Sequence, residues 1–280
     1  MSVSRKMVYV LDAAGFLAMH LACLSVFWID WGLFEVMLCL VSYLVRMFAI
    51  TAGVHRYFSH RSYRTSRWFQ FVLALLASLA LQKGILWWAG MHRHHHRHAD
   101  TDLDYHSPQT RSLFHSHIGW FLDPETRNAD LSRVADFADF PELVWLDRWN
   151  IIPAALYGLA MFGLFGLSGF IWGFCISTVL MWHAALSTGS IQHRWGGYRR
   201  FDTPDSSRNH WMLSLLLLGE GWHNNHHFAP SSAKHGFAWW EPDPNYWILC
   251  TLEKLGVVWD LRPVPGTVQR SLKSACQASD

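Results

Sequence analysis

Charge is what this chain has little of. Asp, Glu, Lys and Arg make up 16% of its 280 residues, where a soluble domain carries about 25%. The deficit points towards lipid. The net charge is only +2, too small to grip a polyanion, so no nucleic-acid partner is expected. Cysteine is sparse as well. Cys23, Cys39, Cys175, Cys250 and Cys276 show no C-x-x-C spacing, which predicts neither a disulfide framework nor a thiolate metal site. The absence of H-E-x-x-H disfavours a zinc protease, and the absence of a Rossmann glycine fingerprint leaves no flavin or nicotinamide site. There is no internal repeat and no low-complexity linker.

What is present is apolar residues (51%), 17 Trp and 18 His. A bilayer span needs about 20 apolar residues. Four stretches qualify: 8–27, 33–53, 151–167 and 169–189. The first two follow each other closely, which predicts a retained hairpin and not a cleaved signal. A fifth apolar stretch, 68–82, ends at Lys83 after 15 residues. It is expected to lie in the membrane plane, because crossing would put the histidines before and after it on opposite sides. Two basic residues precede the first span, 11 lie between Gly53 and Asn150, nine follow Gly189, and only Arg46 lies inside a span. With a cytoplasmic N-terminus this is the positive-inside pattern. The expected fold is all-α: four transmembrane helices with a cytosolic helical cap, one domain over 1–262 and a polar tail over 263–280.

Three histidine clusters stand outside the spans: His55-Arg-Tyr-Phe-Ser-His60, His92-Arg-His-His95-His96 and His223-Asn-Asn-His226-His227. The charge-derived topology puts all three on the cytoplasmic side. Removing hydrogen from an unactivated methylene takes a strong oxidant, and two redox-active metals can share the electrons that O₂ cleavage needs. Imidazole suits iron, and spacings of three or four residues bring two ligands to one helix face. Adjacent pairs such as His95-His96 diverge and can serve two metals. Eight box histidines exceed what one ion accepts. By contrast, His20 and His183, alone in their spans, are expected to be packed and hydrogen-bonded. His115 and His117 read as a loop pair without metal. The run from His92 to His98, taken alone, would suit an adventitious zinc or nickel ion.

At these motifs the chain resembles the integral-membrane acyl-CoA (stearoyl-type) desaturases. Ile50-Thr-Ala-Gly-Val-His55 through His60 is similar to their first box, Trp88-Ala-Gly-Met-His92 through His96 to the second, Asp100-Thr-Asp-Leu-Asp-Tyr-His106 to the acidic segment that follows, and Leu218-Gly-Glu-Gly-Trp-His223 through His227 to the third. The resemblance spans about Arg46 to Asp260. It implies two Fe²⁺ ions held by nine histidines: His55, His60, His92, His95, His96, His193, His223, His226 and His227. His94 and His98 fall outside the pattern. Two departures stand out. Four residues before His193 the family usually has an Asn that holds a metal-bound water; Gly189 stands here, so water or Ser190 is expected to compensate. Before the second box the family has Arg-Asp at the substrate head group; Gly90-Met91 replaces it, with Lys83 at a further head-group position. The carrier is thus left open among CoA, acyl carrier protein and glycerolipid.

The resemblance implies an O₂-dependent oxidoreductase that places a cis double bond in a saturated acyl chain. Electrons are expected from a separate donor of ferredoxin, rubredoxin or cytochrome b5 type with its reductase, since no haem segment is recognisable. Acetylenase, hydroxylase and oxidative decarboxylase chemistry share the scaffold. A non-enzymatic metal-binding or transport protein is disfavoured, because transporters place ionisable ligands inside their spans and these clusters lie outside them. Trp87 and Trp88 are candidate tunnel walls. Cys39, Tyr43, Met47, Thr51 and His55 recur at four-residue steps along one helix stripe. The resemblance implies that this face, with Tyr43 and Met47, closes the tunnel's far end, and Met47 is expected to favour chains of sixteen carbons or fewer, unless it merely packs against a neighbouring span.

Overall fold

The computed structural model describes residues 3–127 and 130–268. Most of the expected 263–280 tail, with Cys276, lies outside them. The described chain is mostly helical. Its one strand pair joins Arg64–Thr65 to Val258–Trp259, antiparallel, with Arg64 opposite Trp259.

Helix α1 (Val3–Cys23) has 21 residues, a rise of about 31 Å. Helix α2 starts at Leu33 and is regular to Phe48. Glu35 stands in its first turn, where the helix dipole favours an anion. Its carboxylate accepts from Gly32 N (2.9 Å) and Ser168 Oγ (3.2 Å), which accounts for an acid inside an apolar run. The sequence reading ends this span at Gly53. The helix instead continues as a wide π stretch, Ala49–Ser59, every residue of it buried, and delivers the first histidine box directly.

Helix α3 (Arg67–Ser78) is capped by Ser66 Oγ, which accepts from Phe69 N at 3.2 Å. Its 12 residues rise about 18 Å, short of the roughly 30 Å hydrocarbon core. The chain then turns through Leu81 and Lys83, both with positive φ (52° and 62°), into α4 (Ile85–His98), which carries the second box. Helix α5 (Pro141–Arg148) begins on a proline, whose missing N–H is not needed at that position.

Helix α6 (Ile151–Gly169) is interrupted at Gly166 (φ 66°, ψ −161°). A second π stretch, Phe170–Ile176, leads into α7 (Ser177–Leu186). A Cβ on Gly158 would lie 3.1 Å from the Phe174 ring, and 16 residues of straight helix would separate them by about 24 Å. The chain therefore folds back on itself. The reversal between the third and fourth apolar stretches falls at Gly166, where only glycine adopts the φ at no cost. Among the described residues, three stretches are long and apolar enough to cross a membrane: Val10–Phe27, Leu33–Ser59 and the 43-residue Ile151–His193. The protein is a helical membrane protein.

Arg46 sits in the middle of this bundle, 1% exposed. Its guanidinium donates to Ser42 O (3.1 Å), Leu79 O (3.2 Å), Thr178 Oγ1 (2.6 Å) and Ser177 Oγ. One buried cation thus ties α2 to α7 and to the end of α3, with its donors satisfied as a buried charge requires. An apolar cluster including Met47, Phe58, Leu73, Leu86 and Leu146 joins α2 to α5. Short helices α8 (Trp211–Leu216), α9 (His223–Phe228) and α10 (Pro244–Lys254) pack at the polar end; α9 carries the third box.

Candidate metal centre

The π stretch explains the spacing of the first box. His55 and His60 are five residues apart, which would splay them on an α-helix. A π-helix repeats its hydrogen bonds at i→i+5, and His60 N donates to His55 O at 3.2 Å. The two rings stand with centroids 5.0 Å apart. Helix α4 supplies His92 and His96 one α turn apart, and α9 supplies His223, His226 and His227.

All nine expected histidines converge, in two groups. His55, His60, His92, His96 and His226 form one; His95, His193, His223 and His227 form the other. Within each, one nitrogen per ring lies within 4.8 Å of all the rest. The adjacent pairs divide as expected: His95 and His227 go to the second group, His96 and His226 to the first. His94 turns outward to Leu103 O (2.9 Å), and His94 and His98 belong to neither group.

The orientation of the rings is more telling than their number. His95 Nδ1 lies 2.9 Å from Asp104 Oδ2, His193 Nδ1 3.0 Å from Asp100 Oδ2, and His227 Nδ1 2.8 Å from Asp205 Oδ2. A carboxylate can only accept, so the proton of each neutral ring is on Nδ1 and the Nε2 lone pair points inward. Inside, the nitrogens meet one another: His193–His223 at 3.0 Å, His92–His60 at 2.9 Å, His92–His96 at 3.0 Å, His226–His96 at 2.9 Å and His55–His226 at 3.0 Å, all between Nε2 atoms. The Nε2 atoms of His95 and His227 have no hydrogen-bond partner among the described residues. Nine ring nitrogens turned inward on one another, three of them held as lone pairs by the carboxylates behind their rings, are a donor set for cations, and the residues fit two metal ions. Imidazole alone does not choose among iron, zinc, copper and nickel.

Electrostatics keep most of the set neutral. Burial, reinforced by neighbouring imidazoles, holds His60, His92, His96, His223 and His226 well below the ordinary histidine range. Burial also takes His227 down to about 4, against the pull of Asp205. His95 goes the other way: burial works against its charge, but Asp104 outweighs it and raises the ring. Asp100, Asp104 and Asp205 stay far below the usual carboxylate range; burial would raise them, and their histidine partners and hydrogen bonds prevail.

Glu220 organises the other side. Its Oε2 sits 2.7 Å from His55 Nδ1 and 2.9 Å from His235 Nδ1, both off the line of a straight hydrogen bond. Its Oε1 accepts from Arg56 Nε at 2.9 Å, and Arg56, fully buried, also bonds Asp243 and Ala233 O. Asp205 and His235 escaped the sequence reading. Asp205 lies in a bend where its Oδ1 accepts from Ser207 N (2.9 Å) and Thr203 Oγ1 (3.1 Å) and no motif distinguishes it, and His235 is a lone histidine.

Two of three cavities border the centre. The largest, about 660 Å³, lies beside Leu11, Gly15, Phe16 and Met19 of α1, and contains Lys83, Arg127 and Arg148. Trp87 and Phe121 separate it from a second cavity of about 50 Å³ that touches His92, His95, His106 and His223. The second shares Trp88, His92, Ala185, Thr188 and His223 with a third, about 30 Å³, that ends at Ile50, Thr51 and Leu217. Met47 is fully buried one turn beyond Thr51 and borders none of the three. Tyr43 donates to Leu216 O at 2.7 Å. Gly90 packs against Asp130 O and Arg133, and Met91 joins the Trp87–Phe121 cluster. Lys83 Nζ lies 4.6 Å from the Trp87 ring with no hydrogen-bond partner among the described residues, and burial brings it down to about 8.

His20 and His183 are bonded, as expected of packed residues. His20 Nδ1 meets Phe16 O (2.7 Å) and its Nε2 meets His183 Nε2 (2.9 Å). His183 Nδ1 meets His117 Nε2 (3.0 Å), whose Nδ1 meets Ser190 Oγ (2.8 Å); Ser190 Oγ donates to Leu186 O (2.8 Å). His117 is thus linked to two spans and not paired with His115, which bonds Tyr105 O at 3.1 Å.

The fatty acid desaturase family model matches residues 9–252. Over 242 residues the chain is 37% identical to an sn-2 palmitoyl-lipid 9-desaturase of Nostoc sp. (strain 36), covering 85% of this chain and 84% of that one. It is 36% identical to an sn-1 stearoyl-lipid 9-desaturase of Anabaena variabilis (88% and 91% covered) and 33% identical to an acyl-CoA 5-desaturase of Anemone leveillei (90% and 78%).

Proposed function

Since the chain belongs to the fatty acid desaturase family, an oxygen-dependent oxidoreductase family acting on fatty acyl chains, we propose that it desaturates an acyl chain at two iron ions held by its two histidine groups. His55, His60, His92, His96 and His226 hold one ion; His95, His193, His223 and His227 hold the other. When bound, the iron pair activates O₂ with electrons from a separate donor protein and so supplies the oxidant for two adjacent methylenes. The chain's own residues do the placing. An acyl chain running from the large cavity through the second into the third must cross His92 and His223, one from each group. That crossing is the observation that carries the proposal: it presents neighbouring methylenes to both ions. Trp88 stacks on His92 with centroids 5.1 Å apart and forms a rigid wall there, fixing which bond is exposed. Trp87 gates the cavity leading in.

A glycerolipid is the carrier this geometry favours. The large cavity borders α1, several of whose residues in the span face outward, so a chain can enter sideways from the bilayer. Gly90 and Met91 offer no charge to a nucleotide head group. The alternative, an acyl thioester, draws its support from Lys83. Four crossings, with Gly166 as the reversal of the last pair, and a cytoplasmic metal centre complete the topology; α3 then stays on the cytoplasmic side. Mass spectrometry of lipids from a heterologous host tests the reaction. Unsaturated chains on intact glycerolipid, formed without passage through a thioester pool, are expected; turnover only on supplied acyl-CoA would reverse the carrier assignment. Arg64→Cys and Arg111→Cys, both at exposed positions, should label from the same side; opposite sides would overturn the topology.

A further inference from the structure

The two histidine groups have five donors and four, and one further histidine stands beside the poorer one. We infer that His106 is a tenth member of the metal centre and completes the four-histidine site through a bound water.

Its placement is close to that of the ligands but lacks the carboxylate hydrogen bond that fixes three of their rings. His106 Nδ1 faces Asp104 Oδ1 at 3.7 Å, while the other oxygen of the same carboxylate holds His95 Nδ1 at 2.9 Å. Its ring lies 4.4 Å from that of His95 and is braced by Trp120 at 4.6 Å between centroids. The residue is 8% exposed. Neither ring nitrogen makes a hydrogen bond among the described residues, and Nδ1 is a buried polar atom left over, an arrangement that is costly unless something else satisfies it. The ring borders the cavity that touches His95 and His223.

A direct bond is not the arrangement. Donors on one ion lie at most about 4.2 Å apart, twice a bond of about 2.1 Å. His106 groups within 4.8 Å with His95 and Asp104 but not with His193 and His227. One water spans the difference. Ser190, the other nearby candidate, is already committed to His117 and Leu186 O. Gly189 is explained by the same ring: a Cβ there would stand 2.7 Å from His106 Nδ1 and 3.0 Å from its Cε1. The glycine makes room for the imidazole, so side-chain bulk at 189 and the ring at 106 are alternatives.

This inference rests on the two-metal reading, and the test separates them. Metal-free protein in detergent is titrated with Co²⁺, and iron per chain is counted after reloading. His106→Phe keeps a ring against Trp120 but removes both nitrogens. It should weaken one of two binding steps about 10–100-fold, the range for loss of a group that supports a metal ligand, and leave the other unchanged. Gly189→Asn alone should displace the ring and weaken the same step. His106→Ala combined with Gly189→Asn should restore it, which mere loss of packing would not. Mössbauer spectra of the ⁵⁷Fe²⁺ protein should show one of two signals altered in His106→Phe. A wild type that takes up two ions beside a folded His106→Phe with both steps and both signals unchanged overturns this inference alone. Failure of the double variant to recover the step in folded protein does the same. A wild type that binds one ion or none overturns the two-metal reading and this inference with it.

Discussion

The two histidine groups lie side by side and are built differently. The four-histidine group has carboxylates behind three of its rings, Asp104, Asp100 and Asp205, at 2.8–3.0 Å. The five-histidine group has only Glu220, and Arg56 neutralises that carboxylate. Carboxylate-backed imidazoles are stronger donors, so one site is poor in ligands and rich in negative charge while the other is the reverse. Two ions of the same element placed here would not be equivalent. The four-histidine site is the better host for the more highly charged ion.

The largest effect should come from the pair that divides between the groups. His95→Ala and His96→Ala should each abolish desaturation, seen as loss of unsaturated product by mass spectrometry, and each should lower iron content by about one ion per chain. His94→Ala, between rings of both groups in sequence but outside them in space, should retain activity. If His94→Ala were inactive and His95→Ala active, the division would be wrong.

Next come the carboxylates. Asp104→Asn or Asp205→Asn should weaken one metal-binding step about 10–100-fold. Glu220→Gln should instead act on the other step and destabilise the fold, since it leaves buried Arg56 short of a partner. Isothermal titration with Co²⁺ distinguishes them; all three variants acting on the same step would erase the contrast.

Acid should sharpen it further. His60, His92, His96 and His226, four of the five-histidine group, have folded-state values well below the ordinary 6.5. Below about pH 6.5 the unfolded chain takes up protons that the folded chain refuses, so stability falls as pH falls. Each such ring contributes up to about 1.4 kcal/mol per pH unit. In the four-histidine group His223 and His227 are lowered as well, and only His95, raised by Asp104, opposes the trend. The thermal midpoint of metal-free protein should therefore drop steeply from pH 7 to pH 5. His226→Gln should flatten the slope and His95→Gln steepen it; identical slopes would count against the asymmetry.

The smallest effect concerns the far end of the cavities. Met47 is buried one turn beyond Thr51. Met47→Ala should extend the third cavity and shift preference towards longer acyl chains by a few methylenes, at about 0.8 kcal/mol per buried CH₂, without moving the double bond relative to the carboxyl end. Product profiles on a mixed pool of twelve- to eighteen-carbon chains measure this. An unchanged profile would leave Met47 as packing alone.

Much of this was legible in the sequence because it is written in local spacing. The eight box histidines, the diverging pairs and the apolar runs all depend on neighbours a few residues away, whereas His193, alone in its segment, comes only from the family resemblance. The π geometry at Ala49–Ser59 was not legible, since no residue preference marks it, and it turns a five-residue spacing into a shared face. Asp205, His235 and Glu220's double role depend on contacts across 22, 15 and 164 or more positions, where no local pattern reaches. Gly189 was noticed as a departure, but its reason lies in the ring of His106, 83 positions earlier in the chain. The helix of the second span runs on past Gly53 because the histidine box continues it instead of ending it.

The row of side chains that begins in α1 has a property that bond lengths do not reveal. Five contacts link Phe16 O, His20, His183, His117, Ser190 and Leu186 O. Three neutral imidazoles and one hydroxyl own four hydrogens between them, and both ends are carbonyls that can only accept. The row is therefore always one hydrogen short. In its neutral form one contact must stand open, and the opening can migrate from link to link as each imidazole exchanges tautomers. A single added proton closes all five at once, wherever along the row it arrives.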